Sequence, residues 1–332
     1  MRAISNFISI ATLVLLIGYI IYAESKNPKP SEEISDNGVV TTDPDEWEDY
    51  GPPLPAIAFD LPTTASFAKE PVPLNIADVR ERLDKELQIN SYTHSNTIFL
   101  IKRAHRWLPQ MEEILRQNNI PDDFKYLPLI ESNLLNVSSP RAAVGYWQIL
   151  SESGKEFGLK ITKEVDERYD PLKSTAAACR YLKQAYKKFG NWTLVAASYN
   201  RGMGGVDRAL ESQKVKSYYD LYLNDETSRY VFRIIAIKEI IENPLKYGFK
   251  VNPKNLYQEE PLRYVEVTQT IPNLIDYANQ QGINYKLLKR HNPWLREERL
   301  TIKKGESYKI ALPVEITASS EEELTQRSNF ND

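Results

Sequence analysis

The sequence predicts a mainly α-helical domain followed by a small module that contains both helices and strands. Between residues 73 and 250, apolar side chains recur at helical spacing, and no alternating strand pattern interrupts them. Capping residues stand where several of these patterns begin and end. Residues 251–313 then read as a strand, two short helices and a second strand. The predicted fold class is therefore mainly α, with a small α+β module at the end.

The composition is that of an ordinary globular protein. The chain has 332 residues, of which 42% are hydrophobic and 26% charged, and this length allows one large or two modest domains. A net charge of −3 gives no reason to expect nucleic acid. The single cysteine, Cys179, is interpreted as a small buried apolar residue. His94, His105 and His291 have no ligand spacing, so we predict no metal site and no cofactor.

The N-terminal region predicts export. Residues 1–23 carry Arg2 and then an uncharged run of about 17 residues, which is short for a bilayer-spanning helix. We favour an uncleaved membrane anchor, with a cleaved export signal as the alternative; either places the remaining chain outside the cytoplasm. Residues 24–72 are acidic and proline-rich, which indicates a flexible linker, and residues 314–332 read as a disordered tail.

The first helices lead to a single carboxylate. We predict that Asn75 caps a helix with Ile76, Val79, Leu83 and Leu87 on its inner face, and that a second helix spans about residues 95–117, with Ile98 inward. A short helix from Asp122 then carries Glu131.

The later helices have clearer boundaries. Residues 149–158 are predicted as one helix that ends at Gly158. Asp170 followed by Pro171 predicts a capped helix that ends before Gly190. Shorter and longer helices are then predicted at residues 193–199 and 226–242, the last capped by Asn224.

One stretch carries the chemistry, residues 126–148. An apolar helix delivers Glu131, and partial desolvation there raises the pKa of a carboxyl group so that it holds a proton near neutral pH. Gly145, Tyr146, Trp147 and Gln148 follow, and an aromatic beside an amide suits a sugar-binding cleft. We interpret Trp147 as a core residue.

Four ordered motifs resemble those of a known family. They are Glu131-Ser132 with Ser139, then Gly145-x-Trp147-Gln148, then Ala197-x-Tyr199-Asn200-x-Gly202, and last Glu226-Thr227-x-x-Tyr230-Val231. The set is similar to the signature of lytic transglycosylases of the soluble-lytic-transglycosylase type, and within them to the membrane-bound branch. This resemblance implies a lysozyme-like fold for residues 73–250. The family usually has glycine at the position of Ala142.

The C-terminal module, residues 251–313, resembles a degenerate LysM module, a glycan-binding fold. The usual Gly-Asp-Thr turn is replaced here by Thr268-Gln269-Thr270, so a glycan-binding and a purely structural module both remain open.

The resemblance implies non-hydrolytic cleavage of the MurNAc-GlcNAc β-1,4 bond of peptidoglycan. Glu131 would act first as general acid on the leaving oxygen and then as base on the C6 hydroxyl, which gives a 1,6-anhydro-MurNAc end. Matching motifs assign substrate-binding or orienting roles to the residues Ser139, Gln148, Tyr199, Asn200 and Tyr230. Ser132 is interpreted as securing the helix end.

Two other functions remain open at this stage, because the sequence pattern does not separate lyase from hydrolase. A hydrolytic muramidase of the goose type would need a second carboxylate, for which Glu226 and Asp166 are the candidates. We interpret Glu226 mainly as a first-turn helix acid. A non-catalytic peptidoglycan-binding scaffold is the third possible function.

The expected partners are peptidoglycan glycan strands, the membrane through the N-terminal segment, and other cell-wall enzymes. The expected location is the periplasm or cell envelope.

Overall fold

The computed structural model describes residues 57–314. The predicted anchor or signal at residues 1–23, most of the predicted linker and the predicted C-terminal tail lie outside this range. Within residues 57–314, no helix combines the length and the apolar character needed to cross a bilayer.

Between residues 57 and 250 the described chain is mainly helical, with one small hairpin and a few isolated β-bridges. The hairpin strands are β1 (Ser66–Phe67) and β2 (Glu70–Pro71), paired antiparallel with Phe67 opposite Glu70. The α-helices of this range are α1 (Ala77–Tyr92), α2 (His94–Gln117), α3 (Leu127–Ser132), α4 (Ser151–Glu156), α5 (Pro171–Phe189), α6 (Trp192–Arg201), α7 (Met203–Gln213) and α8 (Asp225–Glu242).

Helix α8 lies at the centre of this domain. It packs against α1, α3 and α6. Its buried apolar residues lie around most of its circumference and include Val231, Phe232 and Ile234. A helix that is apolar all round is stable only when other elements surround it. Because α3 is one of these elements, Tyr230 of α8 comes to lie beside Glu131 of α3.

The boundaries of α5 confirm the strongest sequence prediction. The Asp170 side chain accepts hydrogen bonds from the backbone nitrogens of Leu172 and Lys173, both at 2.9 Å. Pro171 occupies the first turn, where its missing N–H costs nothing. At the other end, Gly190 adopts a φ of +63° and ends the helix. Cys179, in the middle of α5, is fully buried as predicted.

The ordered domain begins earlier than the predicted linker boundary at residue 72. Phe67 is fully buried and packs edge-on against Phe124. The carboxylate of Glu70 accepts hydrogen bonds from the backbone nitrogens of Trp192 (2.6 Å) and Thr193 (2.8 Å) and so caps α6. Nothing in the local composition of this acidic, proline-rich stretch indicates these distant partners.

Several predicted helix details are wrong. Helix α1 begins after Ile76, and Ile76 and Ile98 are 40% and 37% exposed rather than inward. Helix α4 starts at Ser151, not at residue 149, because Ile149 pairs with Val144. Helix α7 was not predicted; its first turn contains Gly204 and Gly205, and glycine has a low helix propensity.

The C-terminal module has the predicted order of elements. It consists of β3 (Leu262–Val267), α9 (Leu274–Gln280), α10 (Tyr285–His291) and β4 (Tyr308–Pro313). The two strands pair antiparallel, with Leu262 opposite Pro313 and Val267 opposite Tyr308. Buried Asn292 joins the helices to the sheet: its Nδ2 donates to Ala311 O and its Oδ1 accepts from Ala311 N at 2.8 Å.

Candidate active site

The end of α3 presents Glu131. The helix stops because Asn133 and Leu134 both adopt φ values of +53°. The Ser132 hydroxyl lies 2.8 Å from the carbonyl oxygen of Tyr146 and 3.0 Å from that of Pro128, both acceptors for its proton. These contacts confirm the interpretation of Ser132 as the residue that secures the helix end.

The carboxyl group of Glu131 lies in a desolvated pocket. Burial, the largest influence, raises its pKa from the usual value of 4.5 to about 7. The Tyr230 hydroxyl donates a hydrogen bond to Glu131 Oε1, which opposes this rise because it favours the charged form. The charge of Arg233 also lowers the pKa, and the charge of Glu226 raises it. At neutral pH the group can therefore both release and accept a proton.

Arg233 was missed by the sequence reasoning. Its Nη2 donates to the carbonyl oxygen of Ile130 at 3.0 Å, which ties α8 to the residue before the acid. The available signal was its spacing: Arg233 follows Tyr230 by three residues, so the two share one face of α8.

Tyr199 closes the pocket from α6. Its hydroxyl donates to the carbonyl oxygen of Trp147 at 2.7 Å, and the two rings meet edge to face with centroids 6.2 Å apart. The negative charge of Glu131 contributes to the raised pKa of Tyr199, after the larger effect of burial. Trp147 is fully buried and its Nε1 donates to Thr175 Oγ1 at 2.8 Å. Trp147 is therefore a core residue, as predicted.

Asn200 and Glu226 form a polar cluster beside the pocket. Asn200 Nδ2 donates to Glu226 Oε1 at 3.0 Å, and Asn200 Oδ1 accepts from Thr227 Oγ1 at 2.8 Å. The Asn224 side chain does not cap α8 as predicted; its Oδ1 instead accepts a hydrogen bond from Arg201 Nη1 at 2.8 Å. These two hydrogen bonds hold the amide of Asn200 in one orientation.

The segment 136–149, here called the cleft loop, carries the two remaining predicted residues. Short antiparallel bridges join Ser138 to Val144 and Val144 to Ile149. The Ser139 hydroxyl accepts from the backbone nitrogen of Ala143 at 3.1 Å. Gln148 Nε2 donates to the carbonyl oxygen of Gly145 at 2.8 Å. Among the described residues, no hydrogen bond joins Ser139 or Gln148 to Glu131 directly.

Asp166 does not serve as a second carboxylate. Its Oδ1 accepts from Arg168 Nε at 2.9 Å and its Oδ2 from Arg168 Nη2 at 2.7 Å, and both side chains are nearly fully buried. Because Asp166 is buried and both of its oxygens are paired with a buried guanidinium, it presents no open oxygen that could hold a nucleophilic water. The candidacy of Asp166 for hydrolysis is therefore wrong. In residues 57–314, no cluster of three His, Cys, Asp or Glu side chains has the arrangement of a metal site.

The raised pKa of Glu131 has a consequence for stability. The unfolded chain releases this proton near pH 4.5 and the folded chain near pH 7, so the folded state loses stability as pH rises through that window. Glu131→Gln removes the titration. We expect its free energy of unfolding, relative to the wild type, to increase between pH 4.5 and pH 7 by up to about 3 kcal/mol. Urea denaturation at several pH values measures this, and a pH-independent difference would contradict it.

Ala142 sits in a conformation that suits glycine. Its φ is +60°, which places a Cβ in the unfavourable left-handed region. We expect Ala142→Gly to raise the free energy of unfolding by about 0.5–1 kcal/mol, since relief of this strain exceeds the added entropy of the unfolded chain. Ala143→Gly, next in the chain and without a positive φ, is the control and is expected to destabilise. Thermal melts of both variants decide the point; equal shifts would refute the strain.

Family models match two parts of the chain. Residues 111–222 match the transglycosylase SLT domain, and residues 263–316 match the soluble lytic transglycosylase C-terminal LysM-like domain. The chain therefore carries an SLT domain, of the lysozyme-like helical kind, followed by a LysM-like module. Tyr230 lies beyond the SLT match, whereas Glu131, Ser139, Gln148, Tyr199 and Asn200 lie within it.

The chain is homologous to membrane-bound lytic murein transglycosylase D. The Escherichia coli K12 protein of that name is 29% identical over 228 residues, which are 67% of this chain and 49% of the relative. The chain thus spans about half the length of this relative. A putative tributyltin chloride resistance protein of Alteromonas sp. strain M-1 is 32% identical over 117 residues, covering 35% of this chain and 56% of that protein.

Two solved structures overlap with part of the fold. An inactive mutant of the lytic transglycosylase Slt from Pseudomonas aeruginosa aligns with 46% of this chain and 26% of its own, at 19% identity and a TM-score of 0.34. The 70 kDa soluble lytic transglycosylase from Escherichia coli aligns with 53% of this chain and 33% of its own, at 18% identity and a TM-score of 0.37.

Proposed function

We propose that this protein is a peptidoglycan lytic transglycosylase that uses Glu131 as its only catalytic carboxylate. The observation that carries the proposal is the desolvated carboxyl group of Glu131 within an SLT domain. Its pKa is about 7, and it accepts a hydrogen bond from the Tyr230 hydroxyl. A single group of this pKa serves as acid and as base in successive steps.

The first step is protonation of the leaving group. Protonated Glu131 gives its proton to the glycosidic oxygen between MurNAc and GlcNAc, and the C1–O bond breaks toward an oxocarbenium-like centre. The resulting carboxylate is stabilised by the hydrogen bond from Tyr230 and by the positive charge of Arg233. Burial raises the pKa of Tyr230 well above its usual value, so its hydroxyl keeps its proton and remains a donor.

The second step closes the sugar on itself. The Glu131 carboxylate takes the proton of the MurNAc C6 hydroxyl, whose oxygen forms a bond to C1. The product is a 1,6-anhydro-MurNAc end, and Glu131 is protonated again for the next cycle. In this proposal Ser139, Gln148 and Asn200 bind or orient the sugars, while Tyr199 and Tyr230 enclose the acid.

A hydrolytic muramidase is the alternative, and one carboxylate near the pocket still supports it. Glu226 acts electrostatically on Glu131, and its Oε1 is bonded to Asn200. An inverting hydrolase would need this group to activate a water on the far side of the sugar ring. Its position in the first turn of α8 also has a structural explanation, because acids there complement the helix dipole.

The mass of the products distinguishes the proposals. Purified peptidoglycan is digested with the wild-type protein and with Glu131→Gln, and the muropeptides are weighed. Products lighter by one water than reducing-end muropeptides, absent with the variant, support the lyase. Reducing-end products would overturn it in favour of hydrolysis, with Glu226→Gln as the next variant. Peptidoglycan binding without any product would leave the scaffold function.

We extend the proposal to location and partners on the strength of the homologue. The name of the Escherichia coli relative is that of a membrane-bound protein, which supports a place in the cell envelope for this chain. Residues 1–23 would supply the anchor or the export signal, and other cell-wall enzymes would be partners. Fractionation of cells that express the full chain, compared with a chain that lacks residues 1–23, tests the anchor.

Tyr230→Phe is expected to shift the pH dependence of the reaction. The variant loses the hydrogen bond that favours the Glu131 carboxylate, so the pKa of Glu131 rises further. The protonated acid then persists to higher pH, and the high-pH limb of the kcat profile moves upward by about 1 pH unit. Maximal kcat falls because the Glu131 carboxylate that forms during the reaction is less stable.

Tyr218→Phe is the control. The Tyr218 hydroxyl donates to the carbonyl oxygen of Thr227, which lies on the same helix as Tyr230, and we expect no shift of the high-pH limb in this variant. A downward shift for Tyr230→Phe would contradict this assignment.

A further inference from the structure

The segment 160–169, here called the bridging segment, belongs to the catalytic domain but pairs with the C-terminal module. Asp166 N donates to the carbonyl oxygen of Trp294 at 2.9 Å, and Arg296 N donates to that of Glu164 at 2.8 Å. Between these bonds, Val165 pairs antiparallel with Leu295. The backbones of the two parts are therefore joined by strand-like hydrogen bonds.

Val165 also completes the core of the module. It is 2% exposed and belongs to the module's apolar cluster, together with Leu274, Leu295 and Leu300. Around it, Thr301 donates from its N and Oγ1 to the Glu164 carboxylate at 2.6 and 3.0 Å. A domain tethered only to bring an enzyme to its polymer would have a core of its own, whereas this one takes a residue from the catalytic domain.

The part of the module that precedes β3 is fixed as well. The Tyr257 ring lies against both Lys102 and Arg106, with cation-to-centroid distances of 5.3 Å each. Arg106 Nε donates to the carbonyl oxygen of Gln258 at 2.8 Å. The module is thus held at its entry by α2 and at its core by the bridging segment.

The opposite side of the bridging segment holds the cleft loop. Arg168 is 8% exposed, and its Nη1 donates to the carbonyl oxygens of Ala142 and Ile149, both at 3.2 Å. The carboxylate of Asp166 fixes the other guanidinium nitrogens. Asn136 Nδ2 donates to the carbonyl oxygen of Tyr169 at 2.8 Å, a second tie between the two segments. Asp166 therefore bonds the module through its backbone nitrogen, and its side chain holds Arg168, which bonds the cleft loop.

We infer that the C-terminal module is a positioning element of the catalytic site: it holds the bridging segment, whose Asp166–Arg168 pair sets the cleft loop that carries Ser139 and Gln148. The inference rests on the proposed function insofar as these two residues bind the glycan. Arg168 is a positioning residue, because it touches the loop and not the reacting atoms. A planar guanidinium suits this role, since one side chain bonds two carbonyl oxygens and a carboxylate in fixed directions.

Arg168→Lys is the sharpest test. The lysine ammonium keeps the positive charge, but it cannot bond the two carbonyl oxygens and the carboxylate in the directions that the planar guanidinium does. Assayed on soluble glycan strands with the full chain, it is expected to raise KM about tenfold. The high-pH limb of its kcat profile stays at the wild-type position, because Glu131 is untouched. A smaller fraction of folded enzyme would lower the apparent kcat and leave KM unchanged. Arg116→Lys, at a surface pair with Glu113, is the matched control.

Val165→Ala tests the module's part without substituting any residue of the cleft loop or of the Asp166–Arg168 pair. We expect KM to rise in the same direction, about threefold. Hydrogen exchange gives a readout that needs no activity: the amides of Val144 and Gly145, bonded within the loop, should exchange faster in both variants than in the control. The inference would be overturned if Arg168→Lys had the same KM and the same exchange rates at Val144 and Gly145 as the wild type. If the wild type yields no anhydro product, the proposed function fails, while the exchange result still decides whether the module orders the loop.

Discussion

Replacement of Glu131 with Gln is expected to lower the rate of muropeptide release by at least about 10³-fold. The amide fills nearly the same space but can neither give a proton to the glycosidic oxygen nor take one from the C6 hydroxyl, and general acid–base catalysis of one step typically contributes about 10²–10⁴. Because the proposed mechanism uses the same group twice, the loss should lie toward the upper end of that range.

The control for this experiment is Glu226→Gln. Its side chain bonds Asn200 and acts on Glu131 only through charge, so we expect a change within about tenfold. Initial rates of release from purified peptidoglycan, at matched concentrations of folded protein, provide the measurement. A Glu131→Gln enzyme that retains activity would remove Glu131 from the mechanism. An equal loss in Glu226→Gln would instead indicate a pair of catalytic carboxylates.

The helices around the acid were largely predictable because their signals are local. The cap at Asp170 and the stop at Gly190 act within one turn of the residues that they define, and both are found in the structure. Glu131 was predictable for a related reason: a carboxylate at the end of a short apolar helix is desolvated by its own sequence neighbours. The resemblance of ordered motifs then indicated which tyrosines enclose it.

The contacts that escaped prediction connect residues far apart in sequence. Glu70 caps α6 from 122 residues away, and no pattern in an acidic stretch names that partner. Asp166 was a candidate to hold a catalytic water because the sequence does not show its buried pairing with Arg168. Val165 shows the same limit, since a valine followed by charged residues does not reveal that it belongs to another module's core. Tertiary packing decides such cases, and it leaves no periodic trace in the sequence.

Gly145→Ala is expected to be the most damaging single-methyl substitution in the cleft loop. The glycine has a φ of +80°, and a Cβ built on it would lie 2.1 Å from the carbonyl oxygen of Arg168 and 3.0 Å from the carbonyl carbon. Both atoms belong to the backbone of the bridging segment, so no side-chain rotation relieves the overlap. Overpacking combined with left-handed strain predicts a loss of about 3–5 kcal/mol in the free energy of unfolding.

Gly190→Ala separates the two causes of that loss. Its φ of +63° carries a similar backbone cost, but no atom lies within 4 Å of the added Cβ. We therefore expect a loss of about 1–2 kcal/mol for this control, and the excess in Gly145→Ala measures the contact between the cleft loop and the bridging segment. Equilibrium denaturation of both variants gives the difference. Equal losses for the two variants would mean that the cleft loop moves away from the bridging segment at little cost. Arg168 could then not fix the position of that loop.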